Sequence, residues 1–97
     1  MAYRPTAVDT APDLSTLTLG VEEEYLLLDP GSGRNVPVAD QVLAALRGPA
    51  RDQSRQEFRH SMVEMVTPVC ADLTELRSHL VALRRSAAEA ATAAGAR

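Results

Sequence analysis

The chain has 97 residues, the length of one small domain, of which 45% are hydrophobic and 24% charged. A formal net charge of −3 and an isoelectric point near 5.3 argue against nucleic acid as a partner, because that role needs a basic patch. A single cysteine, Cys70, rules out an internal disulfide framework, and no apolar run approaches ~18 residues, so the expectation is a soluble, cytoplasmic protein with no membrane partner.

Residues 1–14 mix Pro, Ala, Thr and Asp without a period and read as a flexible N-terminal arm, leaving residues 15–97 as the structured part. Residues 16–28 read as a strand. Its odd positions, Leu17, Leu19, Val21, Glu23, Tyr25 and Leu27, are apolar apart from Glu23 and form the expected core face. Its even positions place Glu22 and Glu24 side by side on the opposite face. Asp29-Pro30-Gly31-Ser32-Gly33 is a strong turn signal. A short helix is expected next, with Asp40 as N-cap, an apolar stripe of Val42, Leu43 and Leu46, and Gly48-Pro49 as its stop. Residues 50–56 read as a polar connection.

Residues 58–69 read as a second strand, in which Glu64 interrupts an apolar run. The period then changes. Leu73, Leu76, Leu80, Leu83, Ala87, Ala90 and Ala94 recur every three or four residues and mark one long amphipathic helix. Asp72 and Glu75 form a capping pair at its start, and Gly95 stands where a C′ glycine belongs. The order is β-α-β-α, an α+β class with helices on one face of a small sheet. A two-stranded sheet is marginal in water, and its acidic face is left bare, so the segment reads as part of a larger fold.

The acids pose the chemical question, because a buried unpaired carboxylate costs several kcal/mol. Glu22 and Glu24 have Cβ atoms roughly 6–7 Å apart on one strand face. That spacing suits hard divalent cations, and Mg²⁺ is commonly held by one or two carboxylates together with substrate phosphates. With Glu64 on an adjacent strand facing the same way, three acids converge and repel one another without a cation. The ordinary alternative is a solvated edge face whose acids block strand-to-strand pairing. Glu23, on the other face, fits that alternative and stays outside the candidate set.

TLGVEEEYLLLD, with its Gly-x-Glu-x-Glu core, followed by EFRHSMVEMVTPVC and a long helix, resembles the start of the bacterial carboxylate-amine ligases. These are the glutamate–cysteine ligase type 2 enzymes, relatives of glutamine synthetase. The resemblance covers residues 16–95. It implies a glutamine synthetase-like sheet lining a funnel in which ATP and an amino acid meet. By motif position it implies that Glu22, Glu24 and Glu64 hold divalent metal, with Glu57 a further ligand. Seven residues separate Glu57 from Glu64, so a regular strand points them to opposite faces; a bulge must intervene or Glu57 must precede the strand.

The implied cofactors are ATP and Mg²⁺ or Mn²⁺, and the implied substrates glutamate and cysteine. The γ-carboxylate is phosphorylated to an acyl phosphate and the amine of cysteine displaces phosphate. Such ligases are several times longer than this chain, which therefore reads as an N-terminal portion, inactive alone. Its implied partner is the remainder of the enzyme or a second copy. A non-catalytic interaction module is the alternative.

Of the remaining residues, Cys70 fits a small buried packing position and His79 a solvated helix site. His60 shares parity with Glu64, and Arg84-Arg85 reads as a solvated charge pair.

Overall fold

The computed structural model describes residues 17–56 and 60–97. It is an α+β structure in the order β1 (Glu22–Leu26), α1 (Ala39–Ala45), α2 (Gly48–Asp52), β2 (Ser54–Gln56), β3 (Met62–Val66) and α3 (Leu73–Ala93). The three strands form an antiparallel sheet with β3 in the centre. The expected polar connection at 50–56 thus holds a short helix and an edge strand. Gly48-Pro49 ends one helix and starts the next: Gly48 takes a φ of +57°, and Pro49 sits in the first turn of α2, where its missing N–H is no loss.

The period-2 reading holds within β1 but not before it: Leu17 and Leu19, expected on the core face, are exposed, because the regular strand begins only at Glu22. Glu23 and Tyr25 are half-buried under the helices, whereas Glu22, Glu24 and Leu26 are exposed. In β3 the facing positions Val63 and Met65 are almost fully buried. They pack with Val42 and Leu46 of the α1 segment and with Leu83, Ala87, Ala90 and Ala91 of α3. The alanine-rich half of α3 therefore belongs to the core, because small side chains let a helix approach its neighbours closely.

Caps explain the helix ends. Asp72 accepts a bond from the Glu75 N–H at 2.8 Å, and the Glu75 carboxylate reaches back to the Ala71 N–H at 2.8 Å. At the other end Gly95, at φ +78°, allows Ala96 N–H to bond Ala91 C=O and Gly95 N–H to bond Thr92 C=O, a Schellman closure. The α1 cap differs from expectation. The N-cap is Val38, and Asp40 lies in the first turn. The Ala39 N–H donates to His60 C=O, which anchors the helix start by a tertiary bond rather than by a side chain.

β3 is bent where it ends. Thr67 pairs with Val21, but the next bridge joins Leu19 to Cys70, so three steps on one strand oppose two on the other. This is a bulge at Pro68-Val69. The Thr67 hydroxyl accepts from the Val21 N–H at 2.9 Å, satisfying the donor the bulge would strand. No helix among the described residues is long and apolar enough to cross a membrane.

Candidate functional site

The acids meet on the face that the helices leave open. Glu24 and Glu64 are register partners across β1 and β3, and Glu22 stands two residues along β1 opposite Val66. Leu27 N–H donates to Ser61 C=O, and Thr67 N–H donates to Val21 C=O. Counting inward from those bonds, odd residues of β1 occupy the hydrogen-bonded positions. Glu24 and Glu64 therefore form a non-hydrogen-bonded pair, the type that brings opposing side chains closest. Glu22 and Glu24 are exposed and Glu64 is half-buried.

Arg55 joins this face from the other edge, as the β2 partner of Glu64. Its guanidinium donates to the C=O groups of Asp52 and Ser54 at 3.1 and 2.8 Å. A three-residue strand carries no period of its own, so no pattern in the chain points to Arg55 on this face. Glu57, the fourth expected ligand, lies outside the described residues. His60 is exposed, and its backbone C=O anchors α1.

The donor chemistry of this face is uniform. Carboxylate oxygens on two neighbouring strands are hard ligands, matched to Mg²⁺ or Mn²⁺ rather than to thiophilic ions. The sheet fixes their spacing through backbone bonds, which holds a ligand set more firmly than a loop does. Glu22, Glu24 and Glu64 are thus hard donors that share one sheet face, while the group of side chains whose ligand atoms already lie within 4.8 Å of one another among the described residues is Cys70, Glu75 and His79.

Glu23 has a separate role. Arg84 of α3 grips it bidentately, with Nε–Oε1 at 2.9 Å and the terminal nitrogen to Oε2 at 2.8 Å. The Tyr25 hydroxyl donates to the same carboxylate at 2.7 Å. Arg84 is 56% exposed, as expected of a solvated residue, and through Glu23 it also ties the long helix to the sheet. Its guanidinium holds the Glu23 carboxyl below the usual range, against the opposing effect of burial. Burial first, and the Glu23 carboxylate second, push the Tyr25 hydroxyl up to about 12. His79 also departs from expectation: it is half-buried, beside Cys70 and Glu75.

The comparisons with known proteins bear on the family of the chain. The model of glutamate-cysteine ligase family 2 matches residues 18–97. A protein of Salinispora tropica named glutamate–cysteine ligase 2 is 69% identical over 96 residues, covering 99% of this chain and 25% of the relative. Its counterpart in Salinispora arenicola is 68% identical over 97 residues, again 25% of the relative. A protein of Saccharopolyspora erythraea named glutamate–cysteine ligase 2-2 is 51% identical over 85 residues, covering 84% of this chain and 22% of its own length. The chain spans about a quarter of the length of these relatives. The acid-bearing strands and the long helix that covers their far side lie within the matched span, and the chain belongs to glutamate-cysteine ligase family 2.

Proposed function

We propose that this chain supplies the divalent-cation-holding part of an ATP-dependent ligase that joins glutamate to cysteine. The observation that carries the reading is the direct opposition of Glu24 and Glu64 on the open sheet face, with Glu22 beside them. Like charges placed opposite each other destabilise a sheet by about 0.2–1 kcal/mol per pair. A divalent ion converts that liability into a ligand set.

In this reading Glu22, Glu24 and Glu64 hold and orient one or two Mg²⁺ or Mn²⁺ ions, and Glu57 adds a fourth carboxylate. The bound ion neutralises charge on the phosphoryl group that passes from ATP to the γ-carboxylate of glutamate. The cysteine amine then attacks the activated carbonyl, and phosphate leaves. The chain's own residues contribute placement: a rigid sheet sets the carboxylate spacing before any ligand arrives. β1 is an edge strand, and Arg97 already exchanges two backbone bonds with Leu28 along that edge, at 2.8 Å each. The proposed partner, the remaining three-quarters of such an enzyme, extends the sheet from there. The setting is cytoplasmic, in keeping with a single reduced cysteine.

Calorimetric titration with Mn²⁺ tests the ligand set. Weak binding is expected, and Glu22→Gln combined with Glu64→Gln should abolish it. An unchanged affinity in the double variant rejects the proposal. The 97-residue chain alone is expected to release no ADP in the presence of ATP, glutamate and cysteine.

A second reading, a non-catalytic interaction module, draws on Val69 and Leu73, which are 71% and 72% exposed. Mass measurement in solution separates the two. A stable dimer indifferent to Mn²⁺ favours the module.

A further inference from the structure

On the far side of the β3 bulge lies a second group of metal-ligating side chains with a different chemistry. The Cys70 sulfur, a Glu75 carboxylate oxygen and a His79 ring nitrogen all lie within 4.8 Å of one another. We propose that Cys70, Glu75 and His79 form a site for a thiophilic divalent cation, Zn²⁺ above all. One thiolate, one imidazole and one carboxylate make a three-ligand set of the kind that leaves a fourth tetrahedral position to water.

Each ligand is placed by a different structural cause. Cys70 is fully buried, and its backbone exchanges two bonds with Leu19, at 2.8 and 2.7 Å. Those bonds fix the sulfur at the start of the helix. Glu75 is held where its capping bond to the Ala71 N–H puts it, with Oε2 as the acceptor. A carboxylate has lone pairs beyond those used in the cap. His79 follows Glu75 by four residues, so the two share one face of α3, the spacing by which helices present paired ligands to zinc.

Metal–ligand distances of about 2.0–2.3 Å put tetrahedral ligands roughly 3.3–3.7 Å apart. The observed separations close to that range with a side-chain shift of about 1 Å. Without metal, the thiol donates to Pro68 C=O at 3.3 Å, and binding replaces that bond while the thiol proton passes to solvent. Burial first, and the Glu75 and Asp72 carboxylates after it, push the Cys70 thiol up, and a cation beside the sulfur would offset that negative charge. The site spans the bulge and the first two turns of α3, so an ion there fastens the end of the sheet to the long helix.

Titration of the tag-free 97-residue chain with Co²⁺ under reducing conditions tests this. The expected result is a thiolate-to-cobalt charge-transfer band that saturates at one equivalent and is displaced by Zn²⁺. Cys70→Ser should remove the band. His79→Ala, at a half-buried position that tolerates alanine, should keep the helical circular dichroism and weaken Zn²⁺ binding about tenfold or more. Glu22→Gln with Glu24→Gln should leave the band unchanged, which separates this site from the open acidic face. A folded wild type without the band, or a band of equal affinity in His79→Ala, overturns the proposal.

Discussion

Replacing Glu24 by Gln should change the sign of its effect on stability when a divalent ion is added. Glu24 faces Glu64 across the β1–β3 pair and lies two residues from Glu22 on the same face. Glutamine keeps the shape and removes the charge. In chelator, one opposing like-charge pair is relieved, worth about 0.2–1 kcal/mol. For a domain of this size each kcal/mol moves the melting temperature by about 4–8 °C, so Glu24→Gln should melt about 1–8 °C higher than the wild type. With Mn²⁺ at ten times its dissociation constant, the wild type gains RT ln 11, about 1.4 kcal/mol, through binding to the folded state. The variant, short of one ligand, should gain far less. The order of the two melting curves therefore inverts between chelator and Mn²⁺. Thermal unfolding followed by circular dichroism reads this directly. Parallel shifts in both proteins, with no change of order, would refute the idea that Glu24 and Glu64 share an ion.

The remaining predictions concern the framework that holds this face. Arg84 depresses the Glu23 pKa below 4.5, so the pair's contribution is complete above about pH 4.5 and is lost as pH falls through the lower, native value. The stability gap between wild type and Arg84→Met, from urea unfolding, should shrink through that acid range; a gap constant down to acid denaturation contradicts the pairing. Tyr25 ionises at about 12 in the folded chain against 10.0 for the ordinary group, so its contribution is present below pH 10 and is lost as pH rises towards 12. Tyrosinate absorbance in a Tyr3→Phe background should show that late transition, moved to lower pH by unfolding. Gly95→Ala should cost about 1 kcal/mol, because the Schellman closure holds Gly95 at φ +78°, while Gly20→Ala, with open space around its added carbon, should stay within about 0.5 kcal/mol. Chemical denaturation of both variants compares them.

Local chemistry was enough to read some elements from the chain. The alternation around Glu22–Leu26 separated a core face from an acidic face because side chains on a strand point to opposite sides at every step. The three-to-four spacing of leucines and alanines, with Asp72 and Gly95 at its ends, defined the long helix because caps and periodicity act within a few residues. Tertiary structure decided the rest. Ser54–Gln56 became a strand only because β3 offered it a free edge, and three residues carry no period of their own. Arg84 stays exposed, yet helix packing brings Glu23 within its reach across 61 residues of sequence. The opposition of Glu24 and Glu64 is likewise a matter of register, fixed by the antiparallel pairing of β1 with β3, which no count along the chain supplies. The residues thus determined which groups could bind a cation, and the strand register determined which of them stand together.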